Sequence, residues 1–306
     1  MNDTVSERDG WLAVDAAGNE VYWKSWGSGP TTLLTLHGGP GMPSRYLDTF
    51  SRLASASRRV VTYDQLGAGV AAAPDSPENW TVEACVEQLE AVRKGLDLGQ
   101  FDLYGHSWGG WLAQSYVLAY PENVRTLILS GTSASIGEYL ANIQALRVGL
   151  GIEKYRTLAK YEAQQQFDHP EYVSVINELN ATHLRRAFPF TVETSLREFA
   201  EYAKTGHLDA GLAYERMWGP NEFCCTGTLI DWDVTADLGK IAAPTLITCG
   251  LYDEVTVSCS QTLAKGIPDN EFLIFGNGSH MSMWERETEL FFAAVDNFIT
   301  RRGDRA

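Results

Sequence analysis

Between Phe101 and Gly110 the chain reads Phe-Asp-Leu-Tyr-Gly-His-Ser-Trp-Gly-Gly, an apolar run that breaks into Gly-x-Ser-x-Gly and passes straight into a helical pattern, Trp108 to Tyr120. A serine at so sharp a strand-to-helix turn has a strained backbone, and the chain can pass that closely only if Gly105 and Gly109 carry no side chain. The Ser107 hydroxyl is then presented above the end of a sheet. Such a turn requires a buried strand followed by a helix that packs back on the sheet, which points to an α/β architecture.

The rest of the chain agrees with that requirement. Short apolar runs at Thr31 to Leu36, Val60 to Tyr63, Phe101 to Tyr104 and Val124 to Ser130 read as buried strands, with helical patterns at Val82 to Leu96 and Trp108 to Tyr120 between the last three. Alternating strands and helices imply a mostly parallel sheet. From about Ser133 to Trp232 the pattern turns helical, for example at Ile136 to Leu150 and Val192 to Lys204. Strand character returns at Pro244 to Cys249 and Glu271 to Phe275, and an amphipathic helix runs from about Glu287 to Thr300. The expected organisation is a core of residues 1–132 and 233–306 with a helical cap, residues 133–232, inserted into it. A length of 306 residues accommodates this, as it would two small domains.

Composition narrows the function. With 44% apolar and 21% charged residues the chain can bury a large core, so it is neither fibrous nor disordered. A net charge of −15 disfavours nucleic acid and anionic membranes as partners, although solubility accounts for most of such charge. The five cysteines, Cys85, Cys224, Cys225, Cys249 and Cys259, lack paired C-x-x-C spacing and read as reduced thiols. No signal-peptide pattern and no apolar run of membrane-spanning length occurs, so a soluble cytoplasmic protein is expected. There is no H-E-x-x-H, no phosphate-binding G-x-x-x-x-G-K-[ST] and no dinucleotide fingerprint, and neither a metal nor a cofactor is expected.

A serine hydroxyl is a weak nucleophile and needs a base, itself oriented by a carboxylate. In this architecture the order is serine, acid, histidine. Asp253 follows the strand ending at Cys249, in Gly250-Leu-Tyr-Asp-Glu254, and His280 follows the last predicted strand, in Gly276-Asn-Gly-Ser-His280. Of the six histidines, only His280 has that position. Glu254 is the alternative orienter. Leu36-His-Gly-Gly-Pro-Gly41 follows the strand Thr31 to Leu36, where backbone N–H groups of Gly39 and Trp108 would hold a developing oxyanion.

Five blocks together resemble the proline iminopeptidase family of α/β hydrolases: His37-Gly-Gly-Pro-Gly41, Tyr63-Asp-Gln-Leu-Gly-Ala-Gly69, Gly105-His-Ser-Trp-Gly-Gly110, Gly250-Leu-Tyr-Asp-Glu254 and Gly278-Ser-His-Met-Ser-Met-Trp-Glu285. A sixth, Met217-Trp-Gly-Pro-Asn-Glu-Phe223 followed by Thr226-Gly-Thr-Leu-Ile-Asp-Trp-Asp233, is similar to the tricorn-interacting aminopeptidase branch. The resemblance implies the α/β-hydrolase fold with a helical cap and a serine aminopeptidase that releases an N-terminal residue, by family default proline, from short peptides or amides. It also implies that Glu222 and Glu254 hold the substrate's free α-ammonium. Val70-Ala-Ala-Ala-Pro74 departs from the family, which usually carries a polar residue and a serine there. Trp108, Trp111, Trp218 and Tyr252 are candidates for lining the pocket of the first side chain, or for core packing.

The same triad would serve an amino-acid amide, ester or lactone hydrolase in a biosynthetic pathway. A non-catalytic binding protein on this fold would normally have lost a triad member, and none is lost here.

Overall fold

The computed structural model describes residues 6–303. The described residues open with an antiparallel pair, β1 (Glu7–Ala13) and β2 (Glu20–Trp26), that lies outside the expected strands. β1 reads Glu-Arg-Asp-Gly-Trp-Leu-Ala and is largely exposed, as suits an edge strand whose charges discourage further pairing. β3 (Thr31–Leu36), β4 (Arg58–Asp64), β5 (Phe101–His106), β6 (Val124–Ser130), β7 (Thr245–Gly250) and β8 (Asn270–Phe275) follow, parallel to one another and each on an expected segment. The eight strands lie in the order β1-β2-β4-β3-β5-β6-β7-β8.

The helices are α1 (Val82–Gly95), α2 (Trp108–Ala119), then α3 (Ile136–Gly149), α4 (Ile152–Ala163), α5 (Pro170–Leu179) and α6 (Val192–Ala203) between β6 and β7, and finally α7 (Val257–Gly266) and α8 (Thr288–Gly303). Residues of types that cap well start several of them. Thr81 Oγ1 accepts from Ala84 N–H at 3.1 Å before α1, and Thr191 Oγ1 from Thr194 N–H at 3.0 Å before α6.

Neighbouring residues along the strands point to opposite faces, which explains why the runs are apolar throughout. Leu34, Val61, Leu103, Leu127 and Ile247 join one core with Leu89 of α1, Leu112 of α2 and Leu263 of α7. Leu33, Val60, Tyr104, Ile128 and Leu246 join another with Phe291, Val295 and Phe298 of α8 and with Phe50 of the 3-10 turn Ser44–Leu53. Helices therefore cover both faces of the sheet. No described helix is long and apolar enough to cross a membrane.

At the base of β5 the buried Asp102 accepts from Arg125 Nε at 3.0 Å and from Thr126 Oγ1 at 2.7 Å. Replacing Asp102 by alanine would strand a largely buried guanidinium, and the expected loss is about 3–5 kcal/mol of stability. A denaturant midpoint measured beside wild type checks this; a change within error would show that the pair contributes nothing.

β3 has β4 on one side and β5 on the other, so the chain reverses its direction of winding there. Such a switch point opens a crevice beyond the carboxyl ends of the strands. Leu36 pairs with Gly105, which sets the loop after β3 directly beside the turn after β5.

Candidate active site

Ser107 has φ 56° and ψ −125°, a left-handed conformation that costs a non-glycine residue roughly 1–3 kcal/mol. Hydrogen bonds hold it there. Its N–H donates to Ser130 O at 3.0 Å, and its carbonyl accepts from Gly110 N–H at 2.8 Å and Thr132 Oγ1 at 3.0 Å. A Cβ on Gly105 would stand 2.3 Å from the Gly109 carbonyl oxygen, which is the steric demand read from the sequence. The Gly-Gly loop after β3 leans on the serine: a Cβ on Gly38 would come within 3.0 Å of Ser107 Cβ.

Asp253 and His280 stand in the loops after β7 and β8, which the register Gly250 to Phe275 sets side by side. His280 Nδ1 donates to Asp253 Oδ1 at 2.7 Å, and Val255 N–H donates to the same oxygen at 2.9 Å. The carboxylate only accepts, so Nδ1 carries a proton and Nε2 is the nitrogen left for chemistry. Gly131 makes the room. A Cβ there would lie 2.9 Å from His280 Nδ1 and 3.0 Å from Asp253 Oδ2. Ser107 and His280 line one cavity together with Gly38, Gly39, His106 and Glu222.

A directed chain of hydrogen bonds ties the two sides of this cavity together. His106 Nε2 donates to the His280 carbonyl at 3.0 Å, so its Nδ1 must accept, and Tyr46 Oη donates to it at 2.9 Å. Tyr46 Oη in turn accepts from Gly38 N–H at 2.7 Å. Burial pushes the His106 imidazole well below its usual range, which keeps it neutral for this relay. Gln65 supports the other flank: its Oε1 accepts from Trp108 Nε1 at 2.9 Å and its N–H donates to His37 Nε2 at 3.0 Å. Tyr46 and Gly131 carry no motif signal that would have marked them, and Gln65 lies in the block Tyr63 to Gly69 without any sign there of its partners. The His of Gly-His-Ser-Trp-Gly was visible, but its partners lie too far along the chain to be read.

Two further carboxylates enter the site. Glu222 lines the Ser107 cavity and its Oε1 accepts from Tyr214 Oη at 2.9 Å. Burial pushes its carboxyl up, against the pull of His280 and the Tyr214 hydroxyl. Glu254 is buried and its Oε1 lies 3.6 Å from His280 Nε2, beyond hydrogen-bond range but within that of an ion pair. Burial raises its carboxyl well above the usual range, opposed by His280 and reinforced by Glu222 and Asp253. Glu254 approaches Nε2 and not Nδ1, and the partner of Nδ1 is Asp253. No lysine or arginine forms an ion pair with Glu222 or Glu254 among the described residues.

The aromatic candidates are placed differently. Trp111 and Trp218 stack with centroids 5.5 Å apart, Trp108 meets Trp111 edge-on at 6.4 Å, and the Tyr252 ring lies under the Arg186 guanidinium at 3.5 Å. These rings are packing; Met42, Leu184, Tyr202, Leu208 and Met281 form the apolar wall of the Ser107 cavity instead. Val70 is 59% exposed and faces a neighbouring cleft with Trp11, Tyr22 and Arg45. The five cysteines are free thiols.

A strained serine at a switch point, with an aspartate-paired histidine brought up from the next loops, defines the α/β-hydrolase class. The family model for the alpha/beta hydrolase fold matches residues 31–287. A proline iminopeptidase of Saccharolobus solfataricus is 38% identical over 291 residues, which span 92% of this chain and 89% of the relative. Among solved structures, VinJ superposes with a TM-score of 0.86 at 28% identity, covering 96% of this chain and 99% of VinJ. The proline iminopeptidase of Mycobacterium smegmatis superposes with a TM-score of 0.81 at 29% identity, covering 97% of this chain and 99% of its own. The chain belongs to the proline iminopeptidase family of α/β hydrolases.

Proposed function

We propose that this protein is a serine aminopeptidase that releases an N-terminal residue, proline or another small apolar one, from short peptides or amides bearing a free amino group. Ser107, His280 and Asp253 act as nucleophile, base and orienter. Residues 133–232 form the cap over the site. The observation that carries the reading is the pair of carboxylates, Glu222 and Glu254, set beside an aspartate-paired histidine with no lysine or arginine partner among the described residues. A site that must bind a charged amine at a fixed distance from a carbonyl needs such acceptors.

In the acylation step His280 Nε2 takes the proton of Ser107 Oγ as the oxygen attacks the substrate carbonyl. Backbone N–H groups of Gly39 and Trp108 hold the oxyanion, each worth about 10² to 10³ in rate. His280 then gives the proton to the leaving amine, and the amino acid remains as an ester on Ser107. Water, deprotonated by His280, attacks that ester and frees the acid.

Prolyl and alanyl p-nitroanilides should be cleaved and their N-acetylated forms refused. Glu222→Gln should lower kcat/KM for the free-amine substrates about tenfold to a hundredfold, the worth of one charge-assisted hydrogen bond. Equal cleavage of acetylated substrates would make this an amide, ester or lactone hydrolase using the same serine.

A further inference from the structure

The contact between Glu254 Oε1 and His280 Nε2, at 3.6 Å, involves the nitrogen that must accept the Ser107 proton. The imidazole is approached by Asp253 at Nδ1, Glu254 at Nε2 and Glu222 from the segment before β7. His106 from β5 and His183 from the turn after α5 complete its surroundings. His106 binds the His280 carbonyl through Nε2, His183 accepts the His280 N–H with its own carbonyl at 2.9 Å, and burial pushes both rings toward neutrality. Arg186 lies near His183 but stacks on Phe190 and Tyr252 and forms no ion pair with the three acids. Negative charge is thus gathered in a buried place, with one Glu254 oxygen lacking any hydrogen-bond partner. Such a cluster holds a proton tightly because no solvent or cation offsets its charge.

We propose that Glu254 determines specificity by keeping His280 Nε2 occupied until a cationic amine arrives. In the empty site Nε2 carries a proton, kept there by the charge of Glu254 at ion-pair distance; the substrate ammonium pairs with Glu254 and Glu222, that proton leaves to water, and Nε2 is free to deprotonate Ser107. The inference rests on the aminopeptidase reading of the site. A substrate arriving as free amine takes up the proton itself, so the same bound state is reached with none released to water. An uncharged ester has nothing with which to displace the proton and meets a blocked base. Burial lowers the pKa of His280, but Asp253, Glu254 and Glu222 all act the other way, outweigh burial and carry it up to about 9.

Glu254→Gln should therefore move two activities in opposite directions. Hydrolysis of p-nitrophenyl acetate at pH 7 should rise about tenfold for each pKa unit by which the acid limb of its pH profile moves down. Cleavage of prolyl p-nitroanilide should fall roughly tenfold to a hundredfold. If both activities fall together, or the acid limb stays in place, the inference is overturned. If the ester limb moves while the nitroanilide is cleaved as in wild type, the amine-anchor reading of Glu254 fails and takes the inference with it. A second measurement does not depend on that variant folding: calorimetric titration of Ser107→Ala with prolinamide at pH 7, in buffers of different ionisation heat. About one proton should be released per ligand bound; none released would overturn the inference.

Discussion

Ser107→Ala should leave a folded protein whose turnover of prolyl p-nitroanilide is lost to background, a fall on the order of 10⁶-fold. The loss is expected to be this large because Ser107 supplies the only covalent bond the substrate forms with the protein in the proposed route, and no other hydroxyl occupies the turn. Folding should survive. Alanine keeps the Cβ, and the hydrogen bonds that hold the turn run through the backbone of residue 107, to Ser130, Gly110 and Thr132. Thermal midpoint and activity should be measured on one preparation. Activity near wild type in that variant would remove Ser107 from the mechanism altogether.

Asp253→Asn should cost about 10⁴-fold in kcat with little change in KM. Val255 N–H and His280 Nδ1 share the one oxygen Oδ1, so with the NH2 of the amide turned there the Val255 bond is given up and an N–H faces Nδ1 where the carboxylate presented an acceptor. The imidazole is then driven to the tautomer whose Nε2 bears the proton, the wrong one for a base. A loss below tenfold would transfer the orienting role to another group, and Glu254 would be the first to test.

The two replacements probe parts of the site of unequal legibility. Ser107 was readable because its motif is local: glycines two positions to either side are a steric condition that a few residues state completely. Asp253 and His280 were readable from chain order, since each follows a buried strand whose end must reach the same rim of the sheet. As holders of an amine, Glu222 and Glu254 were marked only by resemblance, because a glutamate in a loop announces no such chemistry by itself, and chain position offered Glu254 only as an alternative orienter. The aromatic candidates, open between pocket lining and core packing, fall outside the lining of the Ser107 cavity. Trp111 and Trp218 are 107 positions apart and nothing along the chain tells that they stack.

By itself the sequence determined the parallel strands from β3 to β8, the helical stretch between β6 and β7, and the turn that carries Ser107. Each depends on hydrophobic period or on backbone sterics within about a dozen residues. Tertiary structure alone decided the pairing of β1 with β2, because β1 is charged and largely exposed and the short run Val21-Tyr22-Trp23 of β2 is interrupted by Lys24 and Ser25. It also decided the relay from Gly38 through Tyr46 and His106 to His280, and the approach of Glu254 to Nε2. His106 and the His280 carbonyl are 174 residues apart. Such contacts arise when strand order sets loops from distant parts of the chain at one end of a sheet, and the hydrogen bonds then follow from which donors and acceptors meet there.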